Sequence, residues 1–162
     1  MKFYFLVILF FGFLNHSYAN PCSRIMLPNS IGIEFGYSLD QVKKHWSGKE
    51  KGELILEPKK ELVVLKFPKD HLRYNFIVAM VSKHQRVHTI IVEYSNNFIE
   101  KLGGTISTWN SLSNTFTRLY QNYKSVDKST NNVKLIWEIN QAKIVLSAYD
   151  KSTIRTAYVC ML

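Results

Sequence analysis

The chain has little of what most catalytic sites are built from. It contains no Gly-x-Ser-x-Gly elbow and no His-Glu-x-x-His run, so it lacks the local signatures of the common serine hydrolases and zinc proteases. Gly103 and Gly104 stand without the further glycines, and without the following Lys-Ser or Lys-Thr, that a phosphate loop requires. They read as a hinge or helix stop. Cysteine is scarce, with only Cys22 and Cys160, and neither has a closely spaced histidine or second cysteine beside it, which argues against a metal site. Beyond the first 19 residues the histidines are His45, His71, His84 and His88. Only His84 and His88 are near in sequence, flanking a turn, and two imidazoles without a carboxylate or thiolate in ligand spacing make an incomplete zinc site. The Asp70, His71 pair lies in a turn, where neighbours rarely share a cleft. No catalytic residue, cofactor or metal is expected, and the chain is read as a non-enzyme.

Past the start of the chain there is also no long apolar run. Lys2 precedes the run Phe3 to Leu14, and Ser17, Tyr18, Ala19 make a small-x-small cleavage signal. This is the pattern of a signal peptide over residues 1–19. The run is about twelve residues, whereas crossing a bilayer takes ~20, so a retained anchor is disfavoured. Cleavage after Ala19 leaves 143 of the 162 residues, Asn20 to Leu162, a length suited to one exported domain. Ala19, Asn20 and Pro21 do not match the apolar-then-small residues that precede an acylated cysteine, so Cys22 is not read as a lipid anchor. A periplasmic or secreted location is expected.

In an oxidising compartment an even pair of cysteines, one at each end of the domain, suggests a Cys22–Cys160 disulfide; two buried free thiols are the alternative. Charge is one-sided. The full chain carries a net +9, and without Lys2 there are 20 basic against 12 acidic residues, a net +8. Lys43, Lys44, Lys49, Lys51, Lys59 and Lys60 sit in the first half, interleaved with Glu50, Glu53, Glu57 and Glu61. Such a mixture suits a solvated surface, and it also offers an attraction to an anionic partner. Nucleic acid is excluded as a partner, since no nucleic-acid motif occurs and an exported protein rarely meets it.

What the sequence does contain is strand pattern. Leu72 to Tyr94 reads as a long hairpin: Tyr74, Phe76, Val78, Met80 alternate with Asn75, Ile77, Ala79, Val81, and Val87 to Tyr94 follows after His84, Gln85, Arg86. Asn75, Thr89 and Glu93 interrupt one face, which predicts an antiparallel sheet wetter on one side and covered by helices on the other. Ile31 to Phe35 alternates as a short strand. Ser38 and Asp40 open a helix with Leu39, Val42 and Trp46 on one face, ended by Gly48. Glu53 to Glu57 and Leu62 to Phe67 form a second hairpin, turned at Pro58 and ended by Pro68. A second helix is predicted over Ser111 to Tyr123, its stripe Leu112, Phe116, Leu119, Tyr120 and Tyr123 facing the sheet. Val133 to Ile139, Ile144 to Tyr149 and Ile154 to Cys160 complete a three-stranded meander. The expected fold class is α+β, an antiparallel sheet with two main helices packed on one face.

The run Phe35, Gly36, Tyr37, Ser38, Leu39, Asp40, Gln41, Val42 resembles the Gly-x-Ser/Thr-x-x-x-Val helix opening of the BamE (SmpA/OmlA) family. The order of elements after it is similar to that family and to the β-lactamase inhibitor protein fold. The resemblance implies helices on one face of a curved antiparallel sheet, with Phe98 to Cys160 readable as a second, degenerate helix-plus-strands unit. It also implies binding through an exposed sheet face or loops. The chain departs from BamE in lacking the lipid-anchor sequence.

These readings converge on a non-enzymatic exported protein that binds another envelope or secreted protein, as inhibitor, immunity factor or assembly accessory, with the six lysines as contacts. Two alternatives stand beside it: a binder of anionic lipid or glycan, and a small hydrolase with an unrecognised site.

Overall fold

A computed structural model describes residue 22 and residues 24–47, 52–57, 61–82, 86–121, 125–129, 132–149 and 152–161. The segment 1–19, expected from the sequence to be a signal peptide, lies outside the described residues, as do Gly48, Lys49, Lys51, Pro58, Lys59, Lys60, His84 and Tyr123.

The chain lays down the same kind of unit twice, helix first and four antiparallel strands after it. In the first unit α1 spans Leu39–Ser47, followed by β1 (Glu53–Glu57), β2 (Leu62–Lys66), β3 (Tyr74–Val81) and β4 (Val87–Tyr94). The second has α2 (Asn96–Lys101) and α3 (Thr105–Tyr120), then β5 (Ser125–Ser129), β6 (Asn132–Ile139), β7 (Ala142–Tyr149) and β8 (Thr153–Cys160). All eight strands share one antiparallel sheet in the order β1-β2-β3-β4-β8-β7-β6-β5. The two units therefore meet through their last strands, and β1 and β5 form the edges.

Local chemistry accounts for the helices. The Ser38 Oγ accepts the Gln41 N–H at 3.3 Å while the Gln41 Oε1 accepts the Ser38 N–H at 2.8 Å, a reciprocal cap that satisfies two otherwise orphaned donors. Val42 and Trp46 are buried from that helix, and the Trp46 Nε1–H donates to the Ile31 carbonyl at 2.9 Å. At the other helical segment the Ser95 Oγ accepts the Phe98 N–H, and Gly103 and Gly104, at φ of 87° and 94°, turn the chain between α2 and α3 as only glycine does readily. The expected helix stop at this glycine pair is thus a turn between two helices.

Both long helices pack on the same side of the sheet. α3 lies against β6, β7 and β8, where Phe116 meets Trp137 edge-on at 5.3 Å and Tyr158 at 6.3 Å; α1 lies against β1 and β2. Ile25, Ile31, Ile33 and Phe35, from the arm that precedes α1, join the same core. The Cys22–Cys160 disulfide ties that arm to the end of β8 across 138 residues, with the two Cα atoms 5.7 Å apart. The α+β class, the helices on one face and the bridge are as expected from the sequence.

Four expectations need correction. Ile31 to Phe35 is not a strand: a 3₁₀ turn covers Asn29–Ile31, Gly32 takes a left-handed φ of 71°, and apolar alternation here reflects an arm laid on the core. The second helix begins at Thr105, six residues before the predicted start. Serine and threonine in its first turns hid it, since their side chains compete with the helical backbone. Leu119 is exposed, and the buried side of α3 runs instead through Thr108 and Phe116, with Leu112 and Tyr120 packed on its margin. Finally the meander has four strands, because Ser125–Ser129 pairs with β6 as an edge despite its polar sequence.

Candidate binding surfaces

The pairing registers assign every side chain of the sheet to a face. Leu65, Ile77, Val92, Thr156, Leu146 and Leu135 are cross-strand neighbours in one row, and Val63, Ala79, Ile90, Tyr158, Ile144 and Trp137 in the next. All twelve are buried beneath the helices and the arm. Between these rows, pointing the other way, run Ile55, Val64, Val78, Ile91, Ala157, Val145 and Ile136, one from each of seven consecutive strands. All seven are only half-buried, and the helices that contact the sheet lie on its opposite side. The wetter face is thus apolar along its whole midline.

Charges of both signs flank that midline. On one side Glu53, Lys66, Glu93, Arg155 and Lys134 occupy the adjacent row; on the other are Glu57, Lys143 and Glu138. Among the described side chains of this face four acids thus stand with four bases on a chain whose net charge is +9, so these side chains carry none of the basic excess. The centre of the charged row is a fixed cluster. The Arg155 Nε–H donates to the Glu93 Oε2 at 2.7 Å and its Nη2 lies 2.7 Å from the same oxygen, the Asn75 Nδ2 donates to Oε1 of the same carboxylate at 2.9 Å, and the guanidinium lies 5.4 Å from the Phe76 ring and 5.1 Å from that of Tyr149. An arginine paired to a carboxylate and lying over two rings loses little further freedom on binding.

A register shift in β3 sets the edge of this face. Asn75 is the extra residue between the pairs Tyr74–Tyr94 and Phe76–Glu93, so Tyr74 turns to the helix side and joins Ile77, Ala79 and Val81. Simple alternation had placed Tyr74 with Phe76. Burial of the phenols follows: Tyr94 is pushed up to about 12 by desolvation, partly opposed by its hydrogen bond with Thr156, and desolvation raises Tyr158 well above 10.0.

Of the six expected contact lysines only Lys43 and Lys44 are among the described residues. Lys43 and Lys44 lie on α1, on the helix side of the sheet, with Lys43 3.4 Å from Asp40. Lys43 also lines a groove of about 210 Å³ with Leu39, Leu56, Glu61, Leu62, Val81 and Ser82. A larger cavity of about 480 Å³ lies within the 22–37 arm, walled by Cys22, Ile25, Leu27, Ile33, Phe35, Glu34 and Tyr37. The three described histidines have structural surroundings. His45 stacks on Tyr37 at 5.2 Å, the His71 Nδ1 accepts the Tyr74 N–H at 3.0 Å while its ring stacks on Phe67, and the His88 Nδ1 is 2.9 Å from the Thr89 Oγ1. Among the described residues no group of three or more His, Cys, Asp or Glu side chains is placed to hold a metal ion, and no helix is long and apolar enough to cross a membrane.

No family model matches the chain, and no curated protein does. Among solved structures it is similar to a DUF4309 family protein (YjgB) from Bacillus subtilis, at a TM-score of 0.40 and 6% identity, over 76% of this chain and 78% of that one. The sheet-face residues had one sequence signal: from Phe76 to Val81 β3 is apolar on both faces, which is unusual for a sheet with a single covering layer.

Proposed function

We propose that this is a non-enzymatic exported protein, periplasmic or secreted, that acts by binding another protein through the uncovered face of its sheet. The observation that carries the reading is the unbroken apolar midline from Ile55 to Ile136, half-exposed across seven strands. Contiguous apolar surface rimmed by polar residues is a mark of protein association. The stacked Arg155, with Phe76 and Tyr149, supplies the residue types that dominate interface energies. A partner for this face has an apolar strip of its own and little net charge opposite the four acids and four bases. That charge balance weighs against anionic lipid or glycan as the ligand here, while the basic excess elsewhere leaves Lys43 and Lys44 the task of long-range attraction. The disulfide is compatible with an oxidising compartment. Inhibition, immunity and envelope assembly all belong to this class of action, and the BamE-like helix opening is in keeping with the last.

The test is site-specific photo-crosslinking in cells that make the protein, with the photoreactive residue at Ala157 on the midline or at Lys44 on α1. One discrete protein adduct from position 157, persisting at high salt, is the expected result. Adducts to lipid or glycan only, or protein adducts from position 44 alone, would remove the face from its assigned role.

A further inference from the structure

The same molecule has a second surface, at the β1 edge of the sheet, whose geometry points to a different kind of contact. Among the described residues β1 has one neighbouring strand, β2, and its five residues pair with it in unbroken register, without the bulge that often blunts an edge. Its sequence, Glu-Leu-Ile-Leu-Glu, is apolar at all three central positions and has no proline or lysine. The opposite edge, β5, reads Ser-Val-Asp-Lys-Ser. The two edges are therefore unlike: one is polar, and one presents an extended backbone flanked by Leu54, Ile55 and Leu56. Leu56 is 41% exposed on the helix side of the sheet, at the mouth of the groove under α1. At about 210 Å³ that groove has room for one large apolar side chain, since an apolar cavity of about 150 Å³ already holds a benzene ring.

We propose that β1 receives an extended segment of a second protein, which adds to the sheet as a further strand, seats one apolar side chain against Leu39 and Leu56, and places an acidic residue beside Lys43. In such strand addition backbone hydrogen bonds give affinity and pockets for alternate side chains give selectivity. Charge selects the occupant. A second copy of this chain pairing antiparallel through β1 and centred on Ile55 would set Glu53 against Glu57 at both ends of the ladder, and like charges directly opposite one another are destabilising. A foreign segment has no such constraint. On the groove side, among the described residues, Lys43 has a 3.4 Å contact to Asp40, whose side chain is 91% exposed, and Lys44 stands beside it in sequence. Exposed pairs of this kind are weak, so an incoming carboxylate competes readily for the ammonium group.

The inference rests on the protein-binding reading but not on the same surface, and the test separates the two. The oxidised protein is panned against a displayed library of random linear peptides of about nine residues, a length that covers β1 and both its ends. Enriched peptides are expected to alternate apolar residues and to carry Asp or Glu at one end. The consensus peptide, remade with N-methyl groups at alternate amides, is expected to lose about tenfold or more in affinity because strand addition needs those donors. Leu56→Lys should weaken binding by a similar factor, with Leu56→Gln as the milder variant should the lysine impair folding, and Lys43→Glu should shift the selected peptides from acidic to basic. Ala157→Lys on the sheet face should leave peptide binding unchanged. Absence of any alternating consensus, indifference to N-methylation, or full binding by both Leu56 variants would overturn the proposal. Peptide binding lost with Ala157→Lys alone would also overturn it while leaving the uncovered face as the binding site.

Discussion

Replacing Trp137 with Ala tests whether α3 is held to the sheet by the contact that defines it. Trp137 is fully buried, in edge-on contact with Phe116 and in the same cross-strand row as Tyr158, with Ile144 of β7 between them. A buried indole removes about 200 Å² from water. At roughly 25 cal/mol per Å² that is ~5 kcal/mol, lowered because the unfolded chain is itself partly compact and because alanine keeps its methyl group. The cavity left behind acts in the opposite direction, and aromatic truncations of this kind cost about 3 to 5 kcal/mol. Urea unfolding of the oxidised protein, followed by far-ultraviolet circular dichroism, reads the loss directly. With a slope of about 2 kcal/mol per M, typical for a domain of this size, the midpoint should fall by about 2 M. Leu119→Ala, at an exposed position three residues beyond Phe116, should stay within about 0.5 kcal/mol of wild type. A Trp137→Ala midpoint within ~0.5 M of wild type would mean that α3 does not depend on this contact, and the packing argument would fail.

Two further outcomes follow from the same structure. Opening the Cys22–Cys160 bridge frees a loop of 138 residues, for which chain entropy gives at most about 4 to 5 kcal/mol; a denaturation midpoint unmoved by reductant would show that the arm is anchored without it. Tyr94 and Tyr158 have folded pKa values raised above the unfolded 10.0, so the unfolded chain releases protons that the folded one retains, and stability is full below pH 10 and falls as pH rises towards about 12. An absorbance titration should therefore show two phenols ionising only as the protein unfolds; ionisation of every tyrosine near pH 10 with the fold intact would contradict their burial.

The sequence carried the fold where a single element announces itself by period and ends. The Leu39, Val42, Trp46 stripe behind the Ser38 cap gave α1, and the alternating runs from Glu53 to Tyr94 and from Val133 to Cys160 gave seven of the eight strands. It failed where local preference and tertiary context disagree. Ser125–Ser129 has no strand pattern of its own and is a strand because β6 pairs with it. Ile31 to Phe35 has the pattern and is not one, because the arm buries those residues against the core without a ladder. The candidate surfaces were less legible still. The lysines stood out by charge, yet Lys43 and Lys44 lie across the sheet from the uncovered face.

By itself the sequence determined which residues are apolar, the faces on which they alternate, the two cysteines and the balance of charge, since each is a property of one residue or of neighbours a few positions apart. Only the tertiary structure decided that β4 pairs with β8 and so joins two four-stranded units into one sheet. It alone set the extra residue at Asn75 that turns Tyr74 inward, and among the described residues it left the row from Ile55 to Ile136 without a covering layer. The physical reason is that burial belongs to a pair of surfaces. Alternation fixes which side chains share a face, whereas what comes to lie on that face depends on contacts between residues far apart in the chain.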